Sequence, residues 1–203
     1  MFVNHIYATS ENLPPFGSHL CEYVTAANGV FVRARRPGLE AMLPVCLNFQ
    51  SEIRGLVRVE PYVRLEHGPI PSAIIRQVLA WMEAAAPFEL LAWIKADPVY
   101  RAIRPAQSAS TSHCRPQDAF DPDGQDALLD FHSHALHKPF FSTVDNRDEK
   151  NSFRLFAVAG SFPYPSFHTR VGLYGHFWNI PAAWIMELPA GVAIACQGEP
   201  VWN

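Results

Sequence analysis

The sequence predicts a mixed α/β or α+β core from about residue 70 onward, with a small β-rich segment, residues 1–68, ahead of it. Three observations carry this reading. One run of apolar residues at helical spacing lies between Pro71 and Pro87, short apolar runs of strand length follow it, and a hairpin dipeptide and a period-two alternation precede it. With 203 residues, 49% of them hydrophobic, the chain is long enough for one ordinary domain plus a smaller appendage, residues 69–203 and 1–68.

From Glu22 to Arg35 two apolar-rich runs flank Asn28-Gly29, the dipeptide suited to the positive-φ positions of a type I′ hairpin turn. From Val57 to Glu66 the apolar residues fall on odd positions, which predicts a half-buried strand; Pro61 inside it makes that strand an edge or a bulge. Ile74, Ile75, Val78, Leu79 and Met82 then recur at helical spacing and predict an amphipathic helix over 71–86. Leu90 to Ile94 reads as a buried strand. Arg104 to Asp126, rich in Ser, Pro, Gln and Asp, reads as a long irregular connection. Ala127–Phe131, Phe153–Val158 and Arg170–Trp178 are three further strand candidates, with SFPYPSF between the last two as a surface loop, and Ile180 to Cys196 reads as core.

Composition excludes several classes of function. Net charge is -3 and the only tight basic cluster is Arg33, Arg35 and Arg36, so no stripe exists to track a nucleic-acid backbone. The stretch Ile180–Cys196 carries Glu187, Pro181 and Pro189 and is short of the roughly 20 residues a bilayer span needs. Cys21, Cys46, Cys114 and Cys196 are scattered, which fits free thiols in a reducing compartment, and the N-terminus lacks the pattern of an export signal, so a cytoplasmic protein is expected.

The chemistry concentrates between Asp130 and Asp145. His132 and His134 stand at i and i+2 where a strand is expected; on extended chain they share a face with Cα atoms roughly 6–7 Å apart, so both imidazoles can converge on one ion. Asp145, eleven residues on, can return as a third ligand. Two neutral imidazoles and one carboxylate leave Zn²⁺ a net positive charge and a fourth position for water, whose pKa falls towards about 7. Two other readings stay open at this point. Ser142-Thr-Val-Asp145 also has the form of a helix-capping box, and His137, three residues after His134, offers an alternative third ligand.

The joint spacing His132-Ser133-His134, seven residues, Ser142, two residues, Asp145 resembles the signature of the JAMM (MPN-type) zinc metallopeptidases over roughly residues 70–178. That resemblance implies a cytidine-deaminase-like α/β/α fold with a sheet flanked by helices, one Zn²⁺ per chain, and cleavage of a peptide or isopeptide bond at the C-terminus of a ubiquitin-like protein. It implies a glutamate general base after the first long helix, a place held by Glu89, with Glu83 and Glu52 as weaker alternatives. It also implies that Ser142 hydrogen-bonds the oxyanion of the tetrahedral intermediate. The chain departs from the family pattern at Ala135 and Phe141, where prolines are common, and at Leu90, Ala92 and Lys95, where small glycines are usual. The layout, and VGLYGHFWNIPAAWI in particular, resembles proteins of the PRTRC systems of bacterial mobile elements. Partners implied are a ubiquitin-like tail and an activating-enzyme-like protein. A noncatalytic MPN-type scaffold and a zinc hydrolase of a small-molecule amide are the rival readings.

Overall fold

A computed structural model describes residues 2–48 and 50–194, and the chain divides after Glu66 into two compact units. In the first unit five strands, β1 (Val3–Tyr7), β2 (Cys21–Ala26), β3 (Gly29–Arg36), β4 (Leu39–Leu47) and β5 (Tyr62–Leu65), form one sheet in sequence order, β1 parallel to β2 and the rest antiparallel. Val24, Ala26, Phe31 and Met42 join Ala8 and Val59 in its core. Arg33 is internal: it pairs with Glu22 at 2.6 Å and donates to Pro14 O at 2.8 Å, so the sequence cluster Arg33, Arg35 and Arg36 is not a surface patch.

Two expectations for this unit need correction. The β2–β3 hairpin forms, but Ala27 and Asn28 make the turn and Gly29 already pairs with Ala26 as the first residue of β3. Asn28 is held by its side chain, which accepts from Val59 N at 3.1 Å and donates to Val59 O at 2.8 Å. Gly29, at φ 145°, has no room for a side chain, since a Cβ there would lie 2.2 Å from Cys46 O. The alternating segment 57–66 is a strand only from Tyr62, as edge strand β5. Before Pro61 the backbone bonds elsewhere: Val57 N donates to Ala8 O, and Val57 O accepts from Ala27 N.

The second unit is mixed α/β and strand-rich. Helix α1 (Ser72–Ala85) buries Ile75, Val78, Leu79 and Met82, the stripe its period requires, and ends before Pro87. Strands β6 (Leu91–Ala96) and β7 (Tyr100–Ile103) follow. The stretch expected to be irregular instead contains a two-stranded arm, β8 (Gln107–Ala109) with β9 (Cys114–Pro116), and a short helix α2 (Pro122–Asp126) capped by Asp121. Next come β10 (Leu129–Ser133), helix α3 (Thr143–Glu149), β11 (Phe153–Gly160), β12 (Ser166–Leu173), β13 (His176–Asn179) and β14 (Ala193–Ile194).

The main sheet runs β13-β12-β11-β10-β6-β7, with β14 also on β12 and β10 parallel to β11. The segment Arg170–Trp178 is therefore not one strand but a hairpin, turned at Tyr174 (φ 46°) and Gly175 (φ 94°), the two positive-φ positions of a type I′ turn. The end of the aromatic loop SFPYPSF is also misread by composition, because Ser166 and Phe167 open β12 and Phe167 is fully buried. Ile180, Ala182, Ile185 and Met186 are buried as core, whereas Cys196 lies outside the described residues. Among the described residues no helix is long and apolar enough to cross a membrane. Among the described residues the α-helices are one long helix, α1, and two short ones, α2 and α3.

Register sorts the sheet into two faces, because residues paired across strands point to the same side. Ala92, Ile94, Leu129, Phe131, Leu155, Ala157, Phe167 and Val171 share one face and are all fully buried. The other face carries Trp93 opposite Asp130, His132 opposite Val158, and, across β11, His168 and Arg170. One side of the sheet is core; the other is where polar and titratable groups collect.

Candidate metal centre

His132 sits on the polar face of β10, between Leu91 of β6 and Val158 of β11. His134 lies one residue past the strand, but its N–H still donates to Ala159 O at 2.8 Å, so the extended geometry persists through both histidines. Their rings stand 5.2 Å apart, centroid to centroid. Between them Ser133 points to the opposite face and is fully buried; its hydroxyl accepts from Leu90 N at 3.0 Å and its N–H donates to Leu90 O at 2.9 Å. The serine thereby ties the chain just ahead of β6, where Glu89 lies, to the histidine-bearing end of β10.

After His134 the chain turns sharply at Ala135, φ 46°, a conformation closed to proline, which accounts physically for one of the departures noted above. Gly160 is required opposite this turn, since a Cβ there would lie 2.1 Å from His137 O. His137 is exposed in the turn. The chain then enters α3, whose N-cap Ser142 forms a complete capping box: Asp145 N donates to Ser142 Oγ at 3.2 Å and Ser142 N donates to Asp145 Oδ2 at 2.6 Å. The other oxygen, Asp145 Oδ1, lies 3.8 Å from His132 Nε2. The capping and ligand readings of Asp145 are thus compatible, one carboxylate oxygen for each.

Among the described residues, His132, His134 and Asp145 form a group whose ligand atoms all lie within 4.8 Å of one another, and His137 is not part of it. His132 Nε2 is buried and has no hydrogen-bond partner, an arrangement that is costly for a polar atom unless something else satisfies it. Burial pushes the His132 imidazole down to about 4 and lowers His134 as well, with Asp145 opposing both shifts, so both rings are neutral near pH 7, the form that binds a cation. Orphaned nitrogen, neutral imidazoles and facing carboxylate together fit a divalent transition metal of the zinc kind.

A family model of prokaryotic homologs of the JAB domain matches residues 71–178. The chain belongs to the JAB-domain family. The family includes zinc isopeptidases and noncatalytic members. No curated protein matches the chain.

In this JAB domain the ligand group opens into a cavity of about 1010 Å³ that Glu89, His137, Ser142 and Asp130 also line. Glu89 is 8% exposed, and burial, reinforced by the charge of Asp145, pushes its carboxyl up to about 7, the range of a group that exchanges protons at neutral pH. The alternatives for that role lie elsewhere: Glu83 is exposed on α1 and Glu52 pairs with Arg58 at 2.7 Å in the first unit. Cys114 also lines the cavity, with its thiol pushed up by burial; Cys21 and Cys46 are free thiols.

Two contributors escaped the sequence reading. Asp130 shares the sheet face of His132, as any i−2 neighbour on a strand must, and burial pushes it up to about 6 against the pull of Arg154. The β8–β9 arm forms one side of the cavity through Ser108, Thr111, Ser112 and His113, and its Ser110 O accepts from Glu89 N at 2.8 Å. Periodicity gives no signal for so short a hairpin.

Proposed function

We propose that the chain is a zinc-dependent peptidase or isopeptidase that cleaves at the C-terminus of a ubiquitin-like protein in a bacterial ubiquitin-like pathway of the PRTRC kind, in the cytoplasm. The observation that carries this reading is the buried, unpartnered His132 Nε2, grouped with His134 and Asp145 in a cavity that also holds a proton-exchanging Glu89. His132, His134 and Asp145 would hold one Zn²⁺ per chain. Zinc held there would supply Lewis acidity to the reaction. Glu89 takes a proton from the attacking water and passes it to the departing amine. The Ser142 hydroxyl, accepting from Asp145 N, keeps its own proton free to donate to the developing oxyanion. The cavity is at the upper end of the roughly 300–1,000 Å³ typical of small-molecule sites, which leaves room for a peptide tail. Such a tail would add as a strand to an exposed edge, and an activating-enzyme-like protein is the expected neighbour in the pathway.

The test is hydrolysis of a ubiquitin-like fusion by the purified, zinc-loaded protein. Glu89→Gln should lower the rate about 10²- to 10⁴-fold while the protein keeps one zinc per chain. A stable protein that takes up no zinc at neutral pH would overturn the reading in favour of a noncatalytic module, and stoichiometric zinc without peptidase activity would redirect it to a small-molecule amide.

A further inference from the structure

Asp145 comes from an unusual support. Helix α3 has seven residues and buries none of them. A helix that short is not stable by itself, and the usual anchor, an apolar face packed on the core, is missing. The capping box fixes its first turn internally but does not hold it to the sheet.

What reaches it from the sheet is Arg170. This side chain rises from the polar face of β12 and is 4% exposed. Its Nε and Nη2 donate to Glu149 Oε2 at 3.0 and 2.5 Å, and its Nη1 donates to Asn146 Oδ1 at 2.5 Å. The guanidinium also lies over the rings of Phe141, 3.8 Å from the centroid, and of Phe177, at 4.2 Å. Phe141 immediately precedes the N-cap Ser142, so one side chain grips α3 at both ends, with Asp145 between the two grips. Among the described residues, apart from the approach of Asp145 to His132, the other ion pair from α3 to another element, Arg115–Asp148 at 3.4 Å, is between side chains about half exposed and therefore weak. A planar fork with several donors and two stacking faces is what this geometry needs, and lysine supplies neither.

We propose that Arg170 is the positioning residue for the metal ligand Asp145, locking α3 onto the sheet so that Oδ1 faces His132. The proposal rests on the metal reading above and extends it to a residue that touches neither metal nor substrate.

Two readouts test it. Because Arg170→Met alone would leave the Glu149 carboxylate, whose side chain is 11% exposed, without its partner, the variant is Arg170→Met with Glu149→Gln. First, zinc affinity is measured by competition with a chromophoric chelator, zinc being the only ligand added. The double variant should bind zinc about 10- to 100-fold more weakly than the parent, the range found when an outer partner of a metal ligand is removed. Asn146→Ala, added to it, should weaken zinc no further, because the contact is already gone. Arg170→Lys should also lose affinity. Second, amide hydrogen exchange is followed in the metal-free protein. Asp145 to Glu149 should exchange about tenfold faster in the double variant or more, with Phe131 to Ser133 of β10 unchanged. Zinc affinity within twofold of the parent, or unchanged exchange in α3, would overturn the proposal. A parent protein that takes up no zinc would remove the ligand role of Asp145 and with it this proposal, whereas a parent that binds zinc as tightly as the variants would overturn the role of Arg170 and leave the metal reading intact.

Discussion

Strand β10 presents His132 from inside the main sheet, paired on both sides and backed by the fully buried Leu129 and Phe131, and His134 follows one residue past the strand, still bonded to Ala159 O. Helix α3 presents Asp145 from seven residues that put no apolar side chain into the core and that meet the sheet through Arg170. The same ligand group is thus half core and half polar clasp. Packing places the histidines wherever the fold is formed, whereas the aspartate depends on directional contacts that can fail without unfolding the protein. The difference separates what a mutation does to stability from what it does to the proposed metal site.

The largest contrast is in the core behind each half. Phe131→Ala should destabilise the protein by about 3–5 kcal/mol, through lost burial and the cavity left behind. Val144→Ala on the exposed side of α3 should stay within about 0.5 kcal/mol of the parent. Chemical denaturation of the two variants measures both, and similar losses would break the comparison.

Glu89 provides the next test, because its position beside both halves has a pH signature. Its folded carboxyl is raised to about 7 from an ordinary value of 4.5, first by burial and then by Asp145. Between those values the folded protein keeps a proton that the unfolded chain has lost, so the contribution of Glu89 to stability is present at low pH and falls as pH rises towards 7. Metal-free protein should lose on the order of 2 kcal/mol from this group between pH 5 and pH 7. Glu89→Gln should remove that slope in urea unfolding at the two pH values, and an unchanged slope would show that the carboxyl ionises normally.

Ser142→Ala should have a modest effect on stability, about 1 kcal/mol for a lost N-cap. Its effect on zinc should be the more evident one, since the capping box orients the carboxylate of Asp145. A variant weakened in stability but not in zinc affinity would show that the clasp of Arg170 alone sets the position of Asp145.

Much of the second unit was legible because its elements obey one period each. The stripe from Ile75 to Met82 gave α1, and the apolar runs ending at Ile94 and Phe131 gave β6 and β10, on which the spacing of His132 and His134 acquired geometric meaning. The failures have physical reasons. Val57 to Pro61 alternates like a strand, but its hydrogen bonds go to Ala8, Ala27 and the Asn28 side chain, partners that no local pattern announces. Strands β8 and β9 have three residues each and no apolar face, so composition alone made them a loop. Tyr174-Gly175 was a readable turn inside an apparently continuous run. Arg170 could not be read at all, because its partners Phe141, Asn146 and Glu149 lie more than twenty residues away and their contacts exist only once β12 has taken its place in the sheet.

The most direct test is a crystal structure of the zinc-loaded protein with the ion located by anomalous scattering. One zinc per chain is expected at about 2.0–2.2 Å from His132 Nε2, an imidazole nitrogen of His134 and a carboxylate oxygen of Asp145, with His137 turned to solvent. Zinc bound by His137 in place of Asp145, or no zinc in that pocket from protein loaded at one equivalent, would contradict it.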